Sequence, residues 1–200
     1  VVWTATDLSH NVTTMQYQVT IFDVTAPSYS VPATVSKNTA SNSCYYTTSG
    51  TEFDPKIIDD NCTKSNYTIL NNYNNYRSLE FVQFPVGTTT VTWSVKDNYG
   101  NTTSKTIAIT VTDNTKPTIN CPATSYTRVV DSGQTYYTVG TGEFKPVASD
   151  NCSLTSYTNS YNSSTSLNGV HLNVGTYTIT WTAQDAAGNS QACDVFVNVV

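Results

Sequence analysis

The chain has 200 residues, of which only 12% are charged, and its formal net charge is −5. Basic residues form no stripe that could meet a phosphate backbone, which excludes nucleic acid as a partner. No apolar run reaches the length of a membrane-spanning helix, so we expect no membrane span within these residues.

A hairpin is the first predicted element, and its sequence recurs twice along the chain. In each occurrence a tryptophan is followed four residues later by an aspartate, as in Trp3 and Asp7. The spacing between these tryptophans, about 90 residues, is the length of one sandwich domain rather than of a solenoid repeat. We therefore predict the C-terminal hairpin of a preceding, truncated domain at residues 1–23, one sandwich at 24–113 and a second at 114–200.

Alternating apolar residues predict the long strands at the end of each copy. Val91, Trp93 and Val95 alternate with polar residues and so share one face of a strand. The second copy repeats this pattern around Trp181, and each of these strands is followed by another alternating segment. We predict that Trp93 and Trp181 are core residues.

A turn motif, Asp-x-x-Gly-Asn, separates the two long strands of each copy. Gly100 and Gly188 supply the positive φ that such turns need, and His10 takes the same place in the first hairpin. Each copy shows six or seven strand signals and no helical spacing. The predicted fold class is therefore all-β, with tandem immunoglobulin-like antiparallel β-sandwiches.

Five cysteines indicate an oxidising, extracellular compartment, because none of their spacings is typical of a zinc site. Cys121 and Cys193 are both replaced in the first copy, as the two halves of one disulfide would be. We therefore predict a bond between Cys121 and Cys193. Of the other three, we predict that Cys44 bonds Cys62 and that Cys152 is left without a partner. The alternative is five free, buried thiols.

The order of short motifs in the second copy resembles the hyalin-repeat (HYR) family of extracellular immunoglobulin-like modules. The first copy keeps most of this order but has Val31 and Lys105 where the family's first and last cysteines fall. The resemblance implies a tandem adhesion or scaffold module without catalytic activity. The matching motifs are Asp113-Asn114-Thr115-Lys116-Pro117, Cys121-Pro122, Gly133-Gln134, Asp150-Asn151-Cys152, Val174-Gly175-Thr176, Asp185-Ala186-Ala187-Gly188-Asn189 and Ala192-Cys193.

Carboxylates cluster at the predicted turns and are candidate ligands for calcium, which prefers oxygen ligands. Linker aspartates between tandem sandwiches can hold such an ion at a domain junction. The alternative is that each aspartate caps its own turn, and the chain contains no Asp-x-Asp-x-Asp loop. Apart from calcium we expect no cofactor. The candidates are Asp60, Asp97, Asp113, Asp150 and Asp185.

Six Asn-x-Ser/Thr sequons fall in predicted turns or loops, where an N-linked glycan can be accommodated. We expect Asn101 and Asn66 to be the best acceptors, because Asn61 and Asn151 each precede a cysteine at a corner. The full set is Asn101, Asn66, Asn11, Asn162, Asn61 and Asn151.

These features predict a structural repeat segment of a long secreted protein that forms an extracellular fibre, stalk or matrix. Its expected partners are neighbouring tandem domains, covalently attached glycans and other copies of the chain in filaments. We expect no enzyme, because neither His10 nor His171 lies near a nucleophile motif. The alternative functions are a non-catalytic domain of a secreted enzyme and an adhesin-type module that binds glycans or proteins. In the adhesin the loop aromatics, which otherwise pack over a sheet edge, would be Tyr73, Tyr76, Tyr157 and Tyr161.

Overall fold

The computed structural model describes residues 1–62 and 64–200. Among these residues there are strands and turns, and no helix offers an apolar stretch long enough to cross a membrane. The strands are β1 (Val2–Thr6), β2 (Val12–Gln16), β3 (Ser28–Ser30), β4 (Thr34–Asn38), β5 (Tyr45–Thr47), β6 (Lys56–Asp59), β7 (Thr68–Asn71), β8 (Gln83–Pro85), β9 (Gly87–Lys96), β10 (Thr102–Thr112), β11 (Thr118–Asn120), β12 (Ser125–Arg128), β13 (Tyr136–Thr138), β14 (Val147–Ser149), β15 (Leu154–Asn159), β16 (His171–Asn173), β17 (Gly175–Asp185) and β18 (Ser190–Val199).

The chain divides into two compact units. Unit 1 contains Val1–Ala33, Thr51–Leu79 and Val91–Ile107, and unit 2 contains Thr34–Gly50, Glu80–Thr90 and Ala108–Val200. Parts of the first sequence copy therefore group with the second copy in unit 2. The domain boundaries at residues 23 and 113 follow the sequence repeat, and they remain predictions.

The first hairpin, β1 with β2, lies in unit 1 and is exposed on both faces. Its antiparallel register pairs Trp3 with Met15. Trp3 is 67% exposed, whereas the tryptophans at the matching positions of the two copies are fully buried. His10 has a φ of 64° in the turn between the strands, as the sequence predicts for this position.

The rest of unit 1 is built around Trp93. Strand β3 pairs with β6, and β7 pairs with the second half of β9 so that Asn71 faces Trp93. The hydroxyl of Tyr29 donates a hydrogen bond of 2.8 Å to the carbonyl oxygen of Trp93, which anchors β3 beneath the long strand. Trp93 is fully buried, so the prediction of a core residue is confirmed.

Unit 2 contains a four-stranded sheet in the order β12, β18, β17, β15, with β11–β14 and β13–β16 as further pairs. Trp181 is fully buried in its core, among Ile179, Leu172, Phe144 and Val197. The fold is all-β and immunoglobulin-like, as predicted. One detail differs: β12 runs parallel to β18, and β4 runs parallel to β10, so each copy contains one parallel pair.

Candidate functional site

In the described part of the chain, two groups of three aspartates have the geometry to hold a metal ion. The first triad is Asp23, Asp60 and Asp97 in unit 1, and the second triad is Asp113, Asp150 and Asp185 in unit 2. Within each triad one ligand oxygen from every carboxylate lies within 4.8 Å of the others. The predicted candidates all belong to these triads. The sequence prediction missed Asp23, although Asp23 and Asp113 begin matching linker motifs.

Local turns orient one carboxylate of each triad. Asp97 Oδ1 accepts hydrogen bonds from the backbone N–H groups of Tyr99 (2.8 Å) and Asn101 (2.9 Å), and its Oδ2 accepts one from the Asn101 side chain (2.9 Å). Asp185 and Asn189 repeat this arrangement in the second copy, with both bonds at 2.8 Å. The Asp-x-x-Gly-Asn motif therefore fixes one aspartate of each triad at the start of a hairpin turn.

Hydrogen bonding lowers the pKa of the Asp97 carboxyl group. Burial disfavours the charged carboxylate, but the hydrogen bonds from Asn101 and from the Tyr99 N–H outweigh that effect, so the pKa of Asp97 is lowered. Nearby, partial desolvation and the three carboxylates of the first triad raise the pKa of the Cys62 thiol. The first triad thus brings three carboxyl groups together in a largely buried position.

Some of these oxygens lack partners. Asp23 is 9% exposed, and its Oδ1 accepts a hydrogen bond from the N–H of Thr25 at 3.0 Å. Its buried Oδ2 has no hydrogen-bond partner among the described residues, and the same holds for Oδ1 of Asp150 in the second triad. An unpaired buried carboxylate oxygen is costly, and three carboxylates this close repel one another. A bound cation would satisfy both demands, and oxygen ligands of this kind suit calcium.

A disulfide joins the two sequence copies within unit 2. Cys44 bonds Cys152, which lies 108 positions further along the sequence, and their Cα atoms are 4.5 Å apart. The predicted Cys44–Cys62 bond is therefore wrong, and so is the prediction that Cys152 lacks a partner. Closeness in sequence misled the prediction, because Cys44 and Cys152 share unit 2 whereas Cys62 belongs to unit 1. The structure joins Cys121 to Cys193, the pair expected from their joint absence in the first copy.

Asn151 reinforces this junction. Its side-chain amide donates to the carbonyl oxygen of Ser43 at 3.0 Å and approaches Asp113 Oδ1 at 3.4 Å. The Thr39 hydroxyl also donates to Asp113 Oδ1, at 3.1 Å. One aspartate of the second triad is thereby hydrogen-bonded to the segment that carries Cys44. The triad, the disulfide and the linker form one continuous polar cluster in unit 2.

The sequon asparagines lie in different environments. Asn66, Asn11, Asn61 and Asn162 are exposed. The Asn101 amide nitrogen donates both to the Asp23 carbonyl oxygen (3.2 Å) and to Asp97, so a glycan there would disturb the first triad. Asn151 is engaged at the junction in a similar way. The geometry therefore favours Asn66 over Asn101, which the sequence ranks equally.

The predicted loop aromatics are divided between exposure and packing. Tyr76 is 71% exposed, and Tyr73 and Tyr161 are about 40% exposed. Tyr157 packs toward Trp181, with ring centroids 6.1 Å apart, and Tyr161 contacts Tyr177 edge to face at 5.9 Å. Tyr157 thus contributes to the core side of its sheet rather than to a binding platform.

Comparison with known proteins identifies the second copy. The family model of the HYR domain matches residues 112–199. Hyalin from Strongylocentrotus purpuratus is 35% identical over the whole chain, and hyalin from Lytechinus variegatus is 39% identical over 58% of it. The chain spans 16% and 21% of the lengths of these relatives.

Among solved structures, the Drosophila N-cadherin EC1-4 structure matches 88% of this chain and 50% of that chain, at 16% identity and a TM-score of 0.38. The HYR match, the two hyalin relatives and the disulfides place the chain outside the cell or at its surface. The chain is an extracellular repeat segment, and its residues 112–199 are a hyalin-repeat domain.

Proposed function

We propose that the chain is a non-catalytic structural segment of an extracellular fibre, stalk or matrix. The Cys44–Cys152 bond carries this proposal, because it links the two sequence copies covalently at their junction. Asn151 and Asp113 add hydrogen bonds at the same place. A cross-linked junction limits the freedom of a linker, which suits a part that spans distance under load. A module that only presents one binding surface has no need of it.

Immunogold electron microscopy of the native material tests this role. Antibodies raised against the oxidised 200-residue chain should label filaments or a continuous matrix at regular intervals. Antibody pre-absorbed with the same chain is the control and should leave the material unlabelled. Labelling confined to dispersed single molecules would contradict the proposal.

We also propose that the two triads bind calcium as part of this structural role. The support is the buried, unpaired Oδ2 of Asp23 and the recurrence of the same three-aspartate arrangement in both copies. In each triad the ion would tie a linker aspartate to the ends of two strands. It would therefore stabilise the folded chain only, by about 2.7 kcal/mol when free calcium is 100-fold above the dissociation constant.

Thermal unfolding in calcium and in chelator measures this effect. Calcium should raise the melting temperature of the wild-type chain, and the double variant D23N/D113N should lose most of that rise. Asp59→Asn is the matched control, because Asp59 neighbours Asp60 but is exposed and pairs with Lys64 at 2.8 Å. Equal calcium responses of the wild type and D23N/D113N would refute the assignment.

Glycans on exposed loop asparagines fit the same role, since a surface with so few charges has little other protection against association. We propose Asn66 as the acceptor, because its side chain is exposed and lies outside the triads. Self-association into filaments, with partner contacts away from these loops, completes the proposed function.

A further inference from the structure

Cys62 and Cys152 occupy the same position in the two copies, yet they differ in bonding. Both follow Asp-Asn in the sequence. Cys152 is bonded to Cys44, whereas Cys62 is exposed and forms no disulfide with the described residues. The Asp-Asn-Cys corner of the second copy is therefore disulfide-bonded, and the equivalent corner of the first copy has no disulfide within the described residues.

The same local turn presents both sulfur atoms. The backbone N–H of Cys62 donates to Asp60 Oδ1 at 3.0 Å, and that of Cys152 donates to Asp150 Oδ2 at 2.8 Å. In each copy the aspartate concerned belongs to a triad. Cys62 is thus held by the same kind of turn that positions Cys152 for its bond.

The existing bond has a direction along the chain. It runs from the residue just before β5 of one copy to the Asp-Asn-Cys corner of the next copy, 108 residues later. Cys44 is already used in this way, so it is not available to Cys62. A partner for Cys62 that follows the same rule would lie before β5 of a repeat that precedes the first copy.

We propose that Cys62 forms a disulfide with a cysteine of a preceding repeat of the same protein, at the position equivalent to Cys44. This inference rests on the proposed role as a tandem structural segment. It makes the Cys44–Cys152 bond one member of a series of cross-links between consecutive repeats. Thr135 stands at the equivalent position in the second copy, so that copy offers no cysteine to a repeat that follows it.

The chemistry is an ordinary thiol oxidation. The two thiols lose two protons and two electrons as the S–S bond forms. A small-molecule disulfide such as oxidised glutathione accepts the electrons through a mixed disulfide and leaves as two reduced thiols. An extracellular location supplies oxidising conditions in which the product persists.

Peptide mapping of the native protein tests the proposal directly. Free thiols are first blocked by alkylation, and the protein is then digested without reduction. The Cys62 peptide should be recovered in disulfide linkage to a peptide from outside residues 1–200. Recovery of Cys62 as an alkylated thiol, or linked to Cys44, Cys152 or a second Cys62, would overturn the proposal.

Gel mobility separates the two sources of an outside peptide. If the partner belongs to the same chain, reduction leaves the molecular mass unchanged, and if it belongs to another chain, reduction lowers it. Only the first result agrees with the proposal. The peptide map tests only the bonding of Cys62, whereas immunogold labelling tests the fibre or matrix role. Either proposal can therefore be contradicted while the other is supported.

A three-repeat chain provides a second measurement with a matched control. Residues 24–113 carrying C62S are placed directly before residues 24–200 carrying C44S, and the protein is oxidised with glutathione. The leading Cys44 should bond the trailing Cys62 and leave Cys152 free. In the control, which also carries C44S in the leading block, Cys62 should be alkylated. A free Cys62 in both chains would contradict the inference.

Discussion

Glu143 organises several groups of unit 2 through one carboxylate. Its Oε1 accepts from Arg128 Nε and its Oε2 from the Tyr137 hydroxyl, both at 2.6 Å, and Oε2 also accepts from the Gly140 N–H at 3.0 Å. Burial raises the pKa of Glu143, but these hydrogen bonds and Arg128 outweigh it, so the pKa lies below its ordinary value of 4.5. The ionised form is therefore favoured by folding.

The sign of this shift gives a pH prediction. A depressed folded-state pKa contributes stability that is present above the ordinary value and is lost as the pH falls through the folded pKa. Glu143→Gln should therefore flatten the acid limb of a plot of unfolding free energy against pH, below about pH 5. Urea unfolding of both proteins between pH 3 and 7 measures it. Parallel acid limbs would show that Glu143 contributes nothing.

The three tryptophans provide a controlled comparison of burial. Trp181 is fully buried and Trp3 is 67% exposed, although both occupy the same place in their hairpins. Trp181→Ala should lower the free energy of unfolding by about 3–5 kcal/mol, because it removes a large side chain from a packed core. Trp3→Ala should change it by less than about 0.5 kcal/mol. Chemical denaturation checks both, and a small loss for Trp181→Ala would disprove its core role.

Residue-level patterns predicted the core better than the site. Alternation identified Trp93 and Trp181 because burial repeats every second residue in a strand. The Asp residues were recognised only as turn residues with oxygen ligands. Their grouping depends on which strand ends meet, and that information is not local. Asp23 was missed although the sequence marks it, because it begins the same linker motif as the predicted candidate Asp113.

At the scale of elements, a buried asparagine at the end of β7 and another at the end of β15 each shape the loop that follows. Asn159 is 3% exposed, and its amide nitrogen donates to Asn162 Oδ1 and to the Ser164 carbonyl oxygen, both at 2.7 Å. Its Oδ1 accepts from the N–H groups of Tyr161 and Asn162 at 2.9 and 3.0 Å. Asn71 makes the equivalent contacts in the first copy. The polar loop is therefore an ordered turn.

Removal of the Asn159 side-chain amide should lower the free energy of unfolding. Asn159→Ala removes the side-chain oxygen that accepts from the Tyr161 and Asn162 N–H groups and the side-chain amide that donates to the Ser164 carbonyl oxygen, so we expect a loss of about 2–3 kcal/mol in unfolding free energy. Asn173→Ala, at an exposed position at the end of β16, is the control and should be nearly neutral. Denaturant titration compares the two. Equal effects of both substitutions would mean that Asn159 does not organise its loop.

Long strands were easier to predict than short ones. β9, β10, β17 and β18 each contain ten or eleven residues, so several alternations accumulate in one segment. β3, β11 and β14 contain only three residues each and leave hardly any pattern. The parallel pairing of β12 with β18 was missed as well. Sequence periodicity is the same for both strand directions, so it cannot distinguish them.

At the scale of the whole molecule, the two ends of the chain should differ in stability. β1 and β2 are exposed throughout, and an isolated two-stranded hairpin is marginal in water. Amide hydrogens of Val12–Gln16 should therefore exchange fast, while those of β18 exchange slowly. Hydrogen exchange with mass spectrometry on the intact chain provides both values. Comparable protection of β2 and β18 in an isolated monomer would contradict this expectation.

Comparison of the two sequence copies predicts a disulfide within one copy but not a disulfide between copies. Comparing the copies was enough for Cys121 and Cys193, because both partners lie in one copy. Cys44 bonds across copies, so the nearest unassigned cysteine in sequence was the wrong choice. Only the three-dimensional arrangement of unit 2 distinguishes the two pairings.

The two disulfides enclose overlapping stretches of chain: the 44–152 loop contains Cys121, and the 121–193 loop contains Cys152. A pull on the termini would follow the shortest covalent path, which crosses both sulfur bridges. That path includes about 80 residues and reaches roughly 290 Å at about 3.5 Å per residue, against roughly 700 Å for the reduced chain. The oxidised segment is thus a tether with a fixed maximum length, and its extensibility is set by the redox state of four sulfur atoms.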